Sequence, residues 1–201
     1  MQDPISSEAL GQRANERFQR GDLEGAIADY TQAIRIDPWS SRMVLGRGLA
    51  RYAAGDAHGA IEDYSEALRI DPDYADALTN RCCARCDTGD LDGAIADATK
   101  AIQIAPRTSS HWMNRGTARH AKGDLGAAIE DYTEALKIEP RSISSLVNRA
   151  AARADQGDVE KAVIDFSEAL RVAPEDWPYR GHVEGALKGL ESRKGRGRRG
   201  R

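Results

Sequence analysis

A Gly-Asp pair recurs every 34 residues, at Gly21-Asp22, Gly55-Asp56, Gly89-Asp90, Gly123-Asp124 and Gly157-Asp158. A proline follows each pair, at Pro38, Pro72, Pro106, Pro140 and Pro174, with no slippage. A fixed period of this size marks one supersecondary unit copied in tandem. A stacked array of such units offers a long curved surface and no deep enclosed pocket. The period therefore points to binding before catalysis.

With the proline of each copy as position 32, the copies run 7–40, 41–74, 75–108, 109–142 and 143–176, after a lead-in of residues 1–6. Positions 1–14 and 16–30 each carry apolar or small residues at intervals of three and four, as in Leu125, Ala128, Ile129, Tyr132, Ala135, Leu136 and Ile138. That spacing predicts two amphipathic helices, A and B, per copy. The Gly ends helix A with a residue tolerant of positive φ, and the Asp caps helix B. The proline, with no N–H to donate, closes helix B. Hairpins are predicted over 7–36, 41–70, 75–104, 109–138 and 143–172, with no strand.

The chain resembles the tetratricopeptide repeat (TPR) family. Position 8 is small (Ala14, Gly48, Cys82, Gly116, Ala150), positions 20 and 27 are alanine in every copy, and position 24 reads Tyr30, Tyr64, Ala98, Tyr132 and Phe166. The resemblance covers residues 7–176 and implies an all-α solenoid, a right-handed superhelix of helical hairpins. It is specific for fold and weak for function, since such arrays bind unrelated partners.

The family's large residue at position 7 and aromatic at position 11 are arginine here: Arg13, Arg47, Arg81, Arg115, Arg149, and Arg17, Arg51, Arg85, Arg119, Arg153. Helix B supplies an acid at position 23: Asp29, Asp63, Asp97, Asp131 and Asp165. An unpaired charge at the core edge is costly, so the structural reading is an Arg–Asp ladder that fixes helix packing. The functional reading is a basic stripe for an acidic partner.

After the array, Val183, Ala186, Leu187 and Leu190 form the stripe of one more helix, so residues 177–191 are expected to cap it. Arg180, Glu184, Lys188 and Glu191 supply its polar outer face, and Gly181, Gly185 and Gly189 an edge for close approach, with helix B of the fifth copy as the expected neighbour. The last ten residues, SRKGRGRRGR, hold six bases and no acid: Arg193, Lys194, Arg196, Arg198, Arg199 and Arg201. Without them the 29 Lys and Arg fall to 23 against 32 acids, leaving a repeat body with nine surplus negative charges. Residues 192–201 are expected to be disordered and either to make weak, salt-sensitive contact with nucleic acid or an anionic surface, or to fold back on the acidic body.

No apolar run approaches a membrane span, and the polar start MQDPISSEAL is no signal peptide, so a cytoplasmic location is expected. Cys82, Cys83 and Cys86 share one helix, where no disulfide framework forms. Cys83 and Cys86 with His120 offer only three soft ligands, whereas structural zinc wants four, so no metal is implied. No phosphate loop, nucleophile elbow or paired-carboxylate motif is present, so neither catalysis nor a cofactor is expected.

In the TPR family the concave surface is lined by helix A, through positions 2, 5, 6, 9, 12 and 13. Here those positions hold Leu45, Leu49, Tyr52, Cys83, Cys86, Met113 and His120, a mixed and mildly apolar set. The family's clamp for a C-terminal carboxylate is disfavoured: position 5 has no lysine, and Asn15 alone matches, with Gly11, Gly46, Asp76 and Asn80 at the other places. Position 6 is asparagine three times running, at Asn80, Asn114 and Asn148. Such a row could pair with the backbone of an extended peptide, or could only bridge local polar groups. The expected function is a noncatalytic scaffold that binds an extended peptide or a partner helix. The alternatives are an adaptor attached through the basic tail, and a self-assembling homo-oligomer joined through array ends or the glycine edge.

Overall fold

The computed structural model describes the backbone of residues 6–199 and the side chains of residues 6–192. The described residues are helix and turn, with no strand. Five hairpins stand where the period predicts them: α1 (Ser7–Gln19) with α2 (Leu23–Ile36), α3 (Ser41–Ala53) with α4 (Ala57–Ile70), α5 (Ala75–Thr88) with α6 (Leu91–Ile104), α7 (Ser109–Lys122) with α8 (Leu125–Ile138), and α9 (Ile143–Asp155) with α10 (Val159–Val172). A final helix, α11, spans Arg180–Arg199. The chain divides into two compact units, Met1–Ala105 and Pro106–Arg201. Within each unit every helix packs on its chain neighbour, and successive A helices touch (α1 on α3, α3 on α5, α7 on α9). This is an all-α solenoid.

The turns form for the reason their residues suggest. All five Gly of the Gly-Asp pairs have φ between 80° and 89°, a conformation a Cβ would disfavour. Each following Asp accepts a hydrogen bond from the backbone N–H three residues on, for example Gly59 N–H at 2.8 Å from Asp56. The small residue at position 8 makes room for the aromatic at position 24. A Cβ on Gly48 would sit 2.7 Å from the Tyr64 ring, and one on Gly116 would sit 2.8 Å from Tyr132.

The arginines of positions 7 and 11 both serve the helix-B aspartate of their own copy. Asp29, Asp63, Asp97, Asp131 and Asp165 are each buried, and each pairs with two guanidinium groups at 2.6–3.2 Å. The position-7 fork is bidentate, as with Arg81 Nε and Nη2 on Asp97 at 2.9 and 2.6 Å. Its remaining nitrogen reaches back to the preceding copy: Arg81 Nη1 donates to Ser65 at 3.0 Å and Arg149 Nη1 to Thr133 at 3.2 Å. The position-11 group also donates to a helix-B carbonyl in the first three copies, Gly25, Gly59 and Gly93. The ladder thus locks A to B within a copy and ties B to the next A. These arginines do not form a free basic stripe.

Three expectations for the C-terminus change. Val183 and Leu190 of α11 are buried against Ala162 and Phe166, so the apolar stripe, not the glycine edge, meets α10. A Cβ on Gly181, Gly185 or Gly189 would meet only open space, because burying the aliphatic stripe contributes more than close approach of small residues. Arg180 is not on the outer face: its Nη2 donates to Leu170 O at 3.0 Å and Ala173 O at 2.8 Å, satisfying carbonyls at the end of α10. The backbone of residues 192–199, expected to lack structure, continues α11. The side chains of Arg193, Lys194, Arg196, Arg198, Arg199 and Arg201 lie outside the described residues.

Candidate functional site

The helix-A face of the first unit carries a discrete cavity of about 270 Å³, between the first two copies. Phe18 and Tyr30 line it from the first copy; Met43, Leu45 and Leu49 line it from the second. Its depth depends on Gly46, where a Cβ would stand 2.5 Å from the Tyr30 ring. The Tyr30 ring therefore occupies the place where copies three to five have asparagine. Its hydroxyl donates to Asn15 Oδ1 at 2.5 Å, which orients the carboxamide and leaves the Asn15 NH₂ as a donor to a ligand. At the rim, exposed Arg42 pairs with Glu8 at 2.5 Å. Apolar walls with one oriented donor and one cation suit a peptide side chain and its backbone.

The residues expected to line a groove have varied environments. Leu45 is only 6% exposed: it belongs to the core with Val44, Ala60 and Tyr64 and reaches the surface as a cavity wall. Leu49 is half-buried on the same core. Tyr52 is half-buried and its hydroxyl donates to Asp87 of the next copy. That bond and burial push the phenol well above its ordinary range. Cys83 is half-buried and its thiol is pushed up by burial. Cys86, also half-buried, accepts from Cys82, which favours its thiolate and shifts its thiol down while Cys82 goes up. Asn80 donates to Asp76 O of its own helix at 2.8 Å, so this carboxamide already makes a local bond.

In the second unit Asn114 and Asn148 occupy position 6 on α7 and α9, two A helices in contact, and both are half-buried. Met113 is half-buried against Tyr132, Ala128 and Ala152. His120 is half-buried, with Nε2 2.8 Å from Asp155 Oδ2. Tyr52–Asp87 and His120–Asp155 are the same contact in two places, position 12 to position 13 of the next copy. Tyr52 and His120 thus act first as ties between A helices. Among the described residues no group of three or more His, Cys, Asp and Glu has metal-holding geometry, and no helix is long and apolar enough to cross a membrane.

Phe18 and Tyr30 were not legible as site residues from the pattern. Tyr30 lies on helix B, and only the packed hairpin brings its ring onto the helix-A face. A signal existed: Gly46 interrupts the polar row at position 6 directly after a copy with tyrosine at position 24.

A tetratricopeptide repeat family model matches residues 12–75 and 83–143, and a second matches residues 143–176. No curated protein matches the sequence significantly. Among solved structures, a crystal structure of MamA protein shares 23% identity over 83% of this chain and 91% of its own, with a TM-score of 0.75. YrrB, described as a TPR protein with an unusual peptide-binding site, shares 17% identity over 87% of this chain and 90% of its own, with a TM-score of 0.71. A thermophilic TPR protein of Thermus thermophilus shares 18% identity over 90% of this chain and 99% of its own, with a TM-score of 0.72. At these identities the likeness is one of fold. The family models together match well over half of the sequence, and the chain belongs to the tetratricopeptide repeat family.

Proposed function

We propose that this protein is a noncatalytic scaffold that holds a segment of a partner protein, as an extended peptide or a helix, on its helix-A faces. The family's general role as protein-interaction scaffold supports this, as does the peptide-binding site in the description of YrrB. The observation that carries it is the cavity at Gly46, where the Tyr30 hydroxyl fixes the Asn15 carboxamide above an apolar wall. A partner's bulky side chain fills that cavity, and Asn15 donates to its backbone. In the second unit Asn114 and Asn148 offer further carboxamides. Each such bond gains roughly 1 kcal/mol net, so specificity comes from the apolar anchor.

The test uses the full chain as bait, with the double variant Asn15→Ala, Arg42→Glu beside it, and quantifies each captured protein. Both sites are exposed, so folding is retained. The expected outcome is loss of a specific partner by at least tenfold. Capture that is indifferent to the double variant rejects this cavity. Changing Asn80, Asn114 and Asn148 together to Ala is expected to weaken capture; unchanged affinity removes the asparagines from the site and leaves the scaffold reading standing.

A further inference from the structure

A larger cavity, about 720 Å³, lies on the helix-B side of the second unit, between α8, α9 and α10. Leu136, Leu146, Val163 and Ile164 form its apolar floor and Pro140 one end. Ile164 is 64% exposed. It stands at position 22, where the other copies have Ala28, Glu62, Ala96 and Glu130, so only this copy offers a large apolar side chain there.

The equivalent grooves of the first unit are crossed by their own side chains, and the one between copies two and three keeps a smaller cavity of about 410 Å³. Between copies one and two, Trp39 at position 33 lies under the Arg69 guanidinium, 5.2 Å from carbon to ring centre. Between copies two and three, Lys100 at position 26 reaches Pro72 O at 2.5 Å and Asp73 at 3.4 Å. In the second unit the corresponding places hold Arg141 and Arg171, like charges with no attraction for each other. Glu168, at the place of Lys100, is taken by Arg171 through two bonds of 2.7 and 2.5 Å. Those bonds hold its carboxyl below the ordinary range, with the charges of Arg171 and Arg141 adding to them. Glu168 thus answers two guanidinium groups, Arg171 in contact and Arg141 at longer range, which leaves one surplus positive charge. On the inner wall Arg149 is paired with Asp165, as in the ladder of every copy. The groove is therefore an uncrossed apolar trough with surplus positive charge, on a repeat body with nine surplus negative charges.

We propose that this groove is a second docking site, for a short acidic–apolar segment of a partner protein. A bulky aliphatic or aromatic side chain packs on Ile164, Val163 and Leu136, and a neighbouring Asp or Glu carboxylate lies between Arg141 and Arg171. Like charge elsewhere on the body repels such a segment, so the groove gives it one place to dock.

The test titrates the full, isotope-labelled chain with a doubly capped hexapeptide carrying two glutamates beside a phenylalanine and a leucine, followed by backbone amide shifts. Shifts are expected at Leu136, Arg141, Val163 and Ile164. Affinity is expected to fall at least tenfold when lysines replace the glutamates or serines replace the two apolar residues. The exposed substitutions Arg141→Glu and Ile164→Glu are expected to do the same. Equal binding of the lysine peptide overturns the proposal. So do shifts confined to Asn15, Arg42 and Leu49, or no shift at millimolar peptide. The peptide comparison on the unaltered chain decides even where a variant misfolds.

Discussion

At the scale of single residues, each buried aspartate of the ladder holds two arginines in place. Removing one leaves two guanidinium groups facing a buried gap, so Asp131→Ala is expected to destabilise the chain by about 3 kcal/mol, measured by denaturant unfolding. Arg115→Lys is expected to cost more than an ordinary conservative change, since an ammonium cannot reproduce the two-pronged bond to Asp131. The tyrosines of position 24 make a finer distinction. Tyr30 donates to Asn15 and Tyr132 to Thr117 at 3.3 Å, both acceptors at position 9 of the same copy. In the second copy position 9 is Leu49, and among the described residues the buried Tyr64 hydroxyl has no partner. Tyr30→Phe is therefore expected to cost about 1 kcal/mol, while Tyr64→Phe is neutral or stabilising, because it removes an unsatisfied polar atom. A cost for Tyr64→Phe equal to that for Tyr30→Phe would show that a water or another group meets the hydroxyl.

At the scale of elements, the Gly-Asp turn sets where each hairpin folds. Gly55→Ala forces a Cβ into φ of 86° and is expected to cost about 1–2 kcal/mol, although nothing lies within contact distance of the added carbon. The cap of α10 has a pH signature. Hydrogen bonding from Lys161 holds the Asp158 carboxyl below its ordinary range. A group depressed by folding contributes stability above its unfolded value, and that contribution is lost as pH falls through the folded value. Asp158→Asn is thus expected to give a shallower decline of stability below about pH 4, read from thermal melts across pH. Helix α11 covers the last hairpin through Val183 and Leu190, so removing it exposes Phe166 and is expected to cause concentration-dependent association.

At the scale of the whole molecule, the solenoid makes stability a matter of neighbouring contacts, and function a matter of which side chains the repeats leave free. The basic C-terminal residues add a separate expectation. Deleting residues 192–201 removes six positive charges and leaves the body's nine surplus negative ones. Weak binding of single-stranded nucleic acid, falling with added salt, is expected to disappear with that deletion while partner capture at the Gly46 cavity persists. Salt-insensitive nucleic-acid binding by the shortened chain would refute a tail-borne attachment.

The sequence by itself determined the repeat, the hairpin positions and the ladder, because each depends on local rules repeated five times: glycine where φ is positive, aspartate at the cap, alanine where helices meet, an acid for each pair of arginines. Identical spacing also placed Asn114 and Asn148 at equivalent points of α7 and α9. Other features depended on packing across hairpins. Leu45 belonged to the groove by its position, yet the density of Val44 and Tyr64 around it made it core. The stripe of α11 and its glycine edge competed for α10, and aliphatic burial decided it. Tyr30 joined the helix-A face only because its ring crosses the hairpin beside Gly46, and the trough at Ile164 formed only where α8, α9 and α10 pack together. Such features arise from which side chains meet between copies, and a 34-residue period repeats positions while leaving those meetings to the tertiary structure.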